Sequence, residues 1–154
     1  MVKRGPTTRL AQVCLALNAE RAKYIVFGAS ALQLWGSTRA TRDIDILVDP
    51  AIPNVKRVLR ALSRLGFGFA KELIAEEVAS RAVTMIGDAP NVDILTRAWN
   101  VEYSDASPRI EIFEIEGVRV PAASIEDLIE SKRTGRLQDA ADIEVLEAIR
   151  QRIR

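Results

Sequence analysis

The segment 43–48 constrains the fold of this chain more than any other. Its sequence is Asp-Ile-Asp-Ile-Leu-Val. In a β-strand successive side chains point to opposite faces, so Ile44, Ile46 and Val48 share one face, and both aspartates share the other face with Leu47. β-branched residues favour strands that pack against other elements. We therefore predict a sheet protein in which two aspartates lie side by side on an open sheet face.

Helices and strands alternate along the first half of the chain, and the middle is rich in strands. Apolar residues at three- and four-residue spacing predict a helix over 7–22, and β-formers before Gly28 predict a strand over 23–27. The same criteria predict helices at 30–35, 53–65, 71–80, from Ser124 and from about Arg136, and strands at 43–48, 82–86, 92–95, 109–115 and 118–120. This order predicts an α/β (α+β) fold with a mixed β-sheet flanked by helices and with C-terminal helices.

The composition excludes several kinds of chemistry. The length of 154 residues, 48% of them apolar, fits one domain over residues 1–154. The chain has no histidine, which excludes imidazole acid–base catalysis and histidine metal sites. Its one cysteine, Cys14, excludes an internal disulfide and a multi-thiolate zinc site, and its apolar neighbours predict a buried thiol. Any catalysis therefore depends on carboxylates, Lys, Arg, hydroxyls or a hard metal ion.

Charge and hydropathy bear on location and partners. The net charge is +1, which provides no broad basic surface for duplex nucleic acid. Apolar runs stay well short of the ~20 residues that a membrane span needs. The basic start of the chain is not followed by the apolar run of a secretory signal. We therefore predict a cytoplasmic protein with no membrane partner.

A third aspartate joins the pair in 43–48. Asp93 lies in the strand-like segment Asn-Val-Asp-Ile-Leu, between apolar residues. Carboxylates that lie close together repel each other unless a cation separates them, and hard divalent ions prefer carboxylate oxygens. We predict that Asp43, Asp45 and Asp93 hold Mg²⁺ or Mn²⁺ and are the catalytic residues. Alternatively, Asp43 and Asp45 are solvated residues of an edge strand, and Asp93 caps a turn.

Gly28-Ala29-Ser30, between a predicted strand and a predicted helix, favours an anion site. Glycine lets the backbone turn tightly and approach a ligand, and the free N–H groups of a following helix favour a phosphate. Ser30 adds a hydroxyl, and Arg39 and Arg42 in the next loop add positive charge. The alternative is a tight turn with a serine cap and solvated arginines.

These motifs resemble those of a known superfamily. Gly28-Ala29-Ser30 followed at a spacing of a dozen residues by Asp43-Ile44-Asp45-Ile46 is similar to the motif of the DNA-polymerase-β-like nucleotidyltransferases. The wider pattern, with Gly36, Arg39, Thr41 and Arg42, resembles the small prokaryotic branch that includes the AbiEii-type toxins. The tail is similar to the C-terminal motif of that branch at Lys132, Gly135, Arg136, Asp139 and Asp142.

The resemblance implies a nucleotidyltransferase fold and Mg²⁺-dependent transfer of a nucleoside monophosphate from a nucleoside triphosphate to an acceptor hydroxyl on RNA, protein or a small molecule. It implies metal binding by Asp43, Asp45 and Asp93. The nucleotide-binding residues that we expect with it are Gly28, Ala29, Ser30, Arg39, Arg42 and Lys132. A toxin–antitoxin role, with an antitoxin or a second copy of the chain as partner, is a further expectation.

Other hypotheses stay open at this point. The chain could keep the fold without turnover, as a nucleotide-binding or protein-binding module, or it could bind no ligand at all. Lys132 could interact with a helix dipole, and Asp139 and Asp142 could be solvated residues that cap the last helix. Trp35 is expected in the core, whereas Trp99 lies in a polar stretch and the sequence does not place it.

Overall fold

A six-stranded mixed sheet forms the centre of the computed structural model, which describes residues 5–38 and 40–153. The strands, in chain order, are β1 (Tyr24–Phe27), β2 (Asp43–Val48), β3 (Val83–Ile86), β4 (Asn91–Leu95), β5 (Glu111–Ile115) and β6 (Val118–Ala122). Their spatial order is β3-β4-β2-β1-β6-β5. Because β2 pairs with β4 on one side and β1 on the other, it is not an edge strand. The interpretation of its aspartates as residues of an edge strand is therefore wrong.

Helices cover the sheet, as the sequence predicts. Within the described residues they are α1 (Arg9–Ala19), α2 (Gly28–Leu34), α3 (Ile52–Leu62), α4 (Ala75–Ser80), α5 (Tyr103–Ala106), α6 (Ile125–Ser131) and α7 (Leu137–Arg152). Short 3₁₀ segments occupy Phe69–Glu72 and Ser107–Arg109. Helix α1 packs on β6 and α3, α2 packs on β1 and β2, and α6 packs on α7.

Two segments differ from the prediction. The helix expected over 71–80 is divided, because Leu73 and Ile74 adopt extended backbone angles between the 3₁₀ turn and α4. The turns at 103–109, which contain Pro108, were not predicted. Segments this short do not complete the apolar repeat from which a helix is recognised.

The two faces of β2 are buried to different extents. Ile44, Ile46 and Val48 are almost fully buried on one face, as the alternation predicts. On the other face Leu47 is buried, Asp45 is half-buried and Asp43 is exposed. The covering layer therefore ends along this face, and the aspartates lie where the sheet becomes accessible.

Polar contacts fix the ends of two elements, and one of these contacts and the burial of Cys14 were predicted. Ser124 accepts a hydrogen bond from the backbone N–H of Asp127 at 3.1 Å and so begins α6 as expected. Glu116, in the β5–β6 turn, accepts hydrogen bonds from the backbone N–H groups of Thr7 and Thr8, and these bonds lower its pKa to about 2. Cys14 is buried, as predicted, and burial raises its pKa to about 11.

Trp35 is partly buried against the core. Its indole N–H donates to the carbonyl oxygen of Ala123 at 2.9 Å, and its ring meets Phe113 edge-on at 5.3 Å between centroids. Trp35 therefore packs against the core, as expected, but its side chain is only partly buried. Among the described helices, none combines the length and the apolar character that crossing a membrane requires.

Candidate active site

Asp45 and Asp93 are direct neighbours on the parallel strands β2 and β4. Hydrogen bonding between their carboxyl groups contributes to the pKa values of both, and such a bond needs a proton on one of the two groups. Burial, with repulsion from Asp93 added, raises the pKa of Asp45 to about 6. Burial also raises the pKa of Asp93, and this effect outweighs the hydrogen bond from Asp45 that lowers it. The pair is therefore held together with less negative charge than two free aspartates would carry.

Asp43 lies on the same sheet face but makes a different contact. It is exposed and in register with Asn91, whose side-chain amide donates to Asp43 Oδ1 at 3.3 Å. Its charge still contributes to the raised pKa values of Asp45 and Asp93. Within the described ranges 5–38 and 40–153, no group of three or more acidic or thiol side chains is arranged to hold a metal ion. The fold thus places two of the predicted ligands in contact and the third beside them.

Gly28 lies directly against the Asp45 carboxylate. It follows the Phe27–Asp45 register pair, begins α2 and has a φ of +62°. A Cβ atom at this position would lie 2.1 Å from Asp45 Oδ2, so a larger residue would displace the carboxylate or the helix. The structure therefore explains this glycine by both its backbone angle and the close approach of Asp45.

The rest of the Gly-Ala-Ser motif forms the first turn of α2. Ala29 is half-buried, and Ser30 is buried with its Oγ 3.5 Å from the carbonyl oxygen of Asp43. This weak contact places the start of α2 beside the start of β2. The predicted phosphate contacts of Gly28, Ala29 and Ser30 stay predictions.

Of the two predicted loop arginines, Arg42 is described by the structure, and it does not line the cleft beside Asp45. Arg42 is exposed and lines another cavity, of about 610 Å³, together with Arg9, Gln12 and Asn91. Because Asn91 also binds Asp43, this cavity adjoins the aspartates from a different side. Arg39 lies outside the described residues.

Lys132 and the start of α7 form a compact ionic cluster. Lys132 Nζ lies 3.5 Å from Asp139 Oδ1 and 3.0 Å from Asp142 Oδ2. Both aspartates are buried, and Arg136 and Thr134 also donate hydrogen bonds to Asp139. Burial opposes ionisation of Asp139, but these hydrogen bonds and the nearby positive charges lower its pKa. The alternative of solvated helix-capping acids is wrong, because both carboxylates are buried.

Members of the ionic cluster and Asp45 of the aspartate pair line one cleft of about 190 Å³. Gly28, Asp45, Lys132, Arg136 and Trp99 are among the residues that line it. The positive charge of Lys132 favours ionisation of Asp45, against the effect of burial. The predicted residues Gly28, Asp45 and Lys132 thus face a common opening.

Most residues that line this cleft were not identified as site residues from the sequence, among them Arg136 and Trp99. Arg136 belongs to the Gly135-Arg136 part of the tail motif, which was the available indication of its position. Trp99 lies in a turn without periodicity, and only the structure places it at the cleft.

The donor set of the aspartate pair fits a hard divalent cation. Asp45 and Asp93 offer carboxylate oxygens from adjacent strands, and their raised pKa values show that both carry a full charge there only at a cost. A cation bound between them would stabilise both charges. Asp45 and Asp93 are therefore the side chains that could hold a metal, with Asp43 nearest to extend the set.

Comparisons with known proteins agree with this geometry. Residues 8–153 match the family described as "Nucleotidyltransferase of unknown function (DUF6036)". A solved structure of a "putative nucleotidyltransferase" from Thermotoga maritima is similar with a TM-score of 0.55, at 17% sequence identity, over 94% of this chain and 89% of that one. No curated protein sequence matches significantly. The chain belongs to the DUF6036 family of nucleotidyltransferases and has the mixed-sheet fold that the sequence predicts.

Proposed function

We propose that this protein transfers a nucleoside monophosphate from a nucleoside triphosphate to an acceptor hydroxyl, with Mg²⁺ or Mn²⁺ as the metal. The observation that carries this proposal is the register pair Asp45 and Asp93, in which Asp45 lies against Gly28 and lines the same cleft as Lys132. The membership in a nucleotidyltransferase family supports the reaction class.

Each side chain of the cleft has a role in the proposed reaction. Lys132 and Arg136 bind the negatively charged triphosphate, and Gly28 lets it approach the backbone at the start of α2. Asp45 and Asp93, with Asp43 beside them, would hold the metal. When bound, the metal ion would supply positive charge that stabilises the phosphate oxygens.

Asp93 is the candidate general base. Its carboxylate accepts the proton of the acceptor hydroxyl as the acceptor oxygen bonds to the α-phosphorus. The bond between the α-phosphorus and the oxygen that bridges to the β-phosphorus breaks, and pyrophosphate leaves. A raised pKa suits a group that must accept a proton near neutral pH.

For the acceptor and the physiological partner we propose a class of molecule in each case, not a single molecule. The cavity beside Arg42 and Asn91 offers a second approach to the aspartates, and its two arginines favour an acceptor that carries phosphate. An RNA end fits this description, and a protein or small-molecule hydroxyl is the alternative. An antitoxin or a second copy of the chain as partner, and a cytoplasmic location, stay predictions.

One observation favours a second candidate function, nucleotide binding without turnover. Asp43 contacts Asn91, and the part of the chain that the structure describes holds no three-acid group arranged for a metal. A protein that never completes this group would bind a triphosphate without releasing pyrophosphate.

The test is pyrophosphate release from each of the four common nucleoside triphosphates with Mg²⁺, in the presence of bulk RNA or protein as acceptor. We expect Asp45→Asn to lower the rate by about 10²-fold or more, because the removed charge acts on the reacting phosphate. Asp49→Asn, at the opposite end of β2, is the matched control and should keep the wild-type rate.

The outcomes separate the two candidates. Release by the wild type that Asp45→Asn retains in full would reject the assigned roles. Mg²⁺-dependent triphosphate binding in calorimetry, with no release on any acceptor, would favour the binding module.

A further inference from the structure

Trp99 lies at the tip of a tight turn that is hydrogen-bonded to α6. Ala98 and Val101 exchange backbone hydrogen bonds of 2.8 and 3.0 Å across the turn. The Asn100 side-chain amide donates to Glu130 Oε1, near the end of α6, at 2.6 Å. The turn is thus bound to Glu130, which is two residues before Lys132 in the sequence. This contact fixes the position of the Trp99 backbone relative to the cleft.

Neither the backbone nor the core explains a tryptophan at this position. Trp99 has a φ of +57°, a left-handed conformation that bulky residues rarely adopt. Its side chain is 57% exposed, so the ring is not placed there to fill the core. Glycine or asparagine would suit this turn with less strain. Strained residues of this kind cluster at ligand sites, and Trp99 lines the cleft that contains Asp45 and Lys132.

Both charged and apolar side chains line the cleft. The charged ones are Asp45, Arg97, Lys132, Arg136 and Asp139, and the apolar ones include Trp99 together with Val83 and Leu95, a register pair of β3 and β4. Leu95 is two residues beyond Asp93 on the same strand face, which corresponds to about 7 Å. The phosphates of a nucleotide suit the cationic side chains, and its base suits the apolar ones.

The size of the cleft places the base at its rim. Sites that enclose a drug-sized ligand have volumes of about 300–1,000 Å³, and this cleft has about 190 Å³. A nucleoside triphosphate therefore extends out of the cleft, to where an aromatic ring is exposed. Exposed aromatic rings bind bases by stacking, which tolerates any of the four bases.

We propose that the indole of Trp99 stacks on the base of the nucleoside triphosphate bound in this cleft. The inference rests on the proposed function, because it takes a nucleoside triphosphate as the ligand. It adds that the base is bound mainly by an aromatic ring on an anchored turn, and that the phosphates are bound separately, at Lys132 and Arg136.

Calorimetry on the full chain tests this assignment, with Mg²⁺-ATP as the nucleotide and Mg²⁺-tripolyphosphate as a probe that lacks a base. Trp99→Gly removes the ring and also relieves the positive φ, so it is not expected to unfold the turn. We expect the Kd for ATP to rise by about 10-fold, from the loss of one stacked base, and the Kd for tripolyphosphate to stay unchanged. Trp99→Phe should restore most of the affinity for ATP, and Phe67→Ala, at an exposed aromatic outside the cleft, should have no effect.

Fluorescence provides a second readout. In Trp35→Phe, Trp99 is the one remaining tryptophan, and we expect ATP to quench its emission while tripolyphosphate does not. The calorimetric series keeps Trp35, so it does not depend on the folding of this variant.

The outcomes distinguish the inference from the proposed function. Unchanged ATP affinity in Trp99→Gly, with wild-type binding of both ligands, overturns the stacking role and leaves the nucleotide site standing. An equal loss of affinity for ATP and tripolyphosphate also overturns it, because the effect would then not depend on the base. A wild-type chain that binds neither ligand overturns the proposed function and this inference together.

Discussion

The molecule contains two groups of buried or half-buried acids, and one member of each group lines the same cleft. Asp139 and Asp142, at the start of α7, form ion pairs with Lys132, and Asp139 also with Arg136; the pKa of Asp139 is lowered. Asp45 and Asp93, on the sheet, are register neighbours, and both of their pKa values are raised. The protein's own cations thus compensate the first group, whereas burial and neighbouring carboxylates oppose ionisation of the second.

This difference shows which group is prepared for an external ligand. Buried carboxylates that already have cationic partners within the protein need no metal ion to compensate their charge. Buried like charges lower stability and persist at sites where function requires them. We therefore assign a structural and phosphate-binding role to the α7 group, and the metal-binding role to the sheet group.

The largest expected effect comes from removing the cation of the paired group. Lys132→Met keeps the aliphatic stem and leaves Asp139 and Asp142 buried with less compensation. We expect the free energy of unfolding to fall by about 3 kcal/mol, as for other broken buried ion pairs. Urea denaturation at pH 7 measures this change.

A neighbouring residue supplies the control. Arg133 forms an exposed ion pair with Glu130 at 3.0 Å, so Arg133→Met should change the same free energy by at most about 0.5 kcal/mol. If Lys132→Met has as small an effect as Arg133→Met, the α7 group is not held together by Lys132, and the contrast between the two groups is lost.

A somewhat smaller effect is expected where the sheet group meets the backbone. Gly28→Ala places a Cβ atom 2.1 Å from Asp45 Oδ2 at a φ of +62°. We expect a loss of about 2 kcal/mol, because the left-handed backbone angle alone costs about 1–2 kcal/mol for a residue with a Cβ atom. The free energy of unfolding again measures this loss.

Gly117→Ala separates the two causes. Gly117 has a φ of +78°, and a Cβ atom there would meet no atom within 4 Å, so this variant reports the backbone cost alone. In an Asp45→Ala background, Gly28→Ala should cost no more than Gly117→Ala. An equal cost of both substitutions in the wild type would mean that Asp45 is not held against Gly28.

The sequence predicted the sheet group better than the α7 group. Asp43 and Asp45 were identified because strand alternation fixes their direction, and the pairing of Asp45 with Asp93 follows from two short strands of similar pattern. The ionic group was not predicted in this form, because helical sequence does not show which acids are covered by a lysine from another helix. Asp139 and Asp142 have the appearance of solvated residues until α6 and α7 are packed together.

The fold was predictable to a similar degree. Strand β2 was predicted with its observed bounds, and the mixed sheet with flanking helices is confirmed. The strand order depends on long-range pairing, which a single sequence does not encode in any local pattern. The position of Trp99 likewise depends on one side-chain contact, from Asn100 to Glu130, which no periodicity indicates.

The last expected effect has the opposite sign and concerns pH. The pKa of Asp45 is raised from 3.8 to about 6, so the folded state binds a proton that the unfolded state releases between these values. The stabilising effect of this proton is complete below about pH 4 and is lost as pH rises through about 6. Asp45→Asn does not lose it, so at pH 8, without divalent cations, this variant should be more stable than the wild type by about 2 kcal/mol.

Urea denaturation at several pH values between 4 and 8 checks this expectation, with Asp49→Asn as the control. The stability advantage of Asp45→Asn should grow with pH, and Asp49→Asn should follow the wild type. A stabilised variant with lost catalysis is expected if the carboxylate is kept for function at the expense of stability. Parallel pH profiles of Asp45→Asn and wild type would show instead that the two acid groups do not differ in this way, and the assignment of the sheet group as the metal site would lose its physical basis.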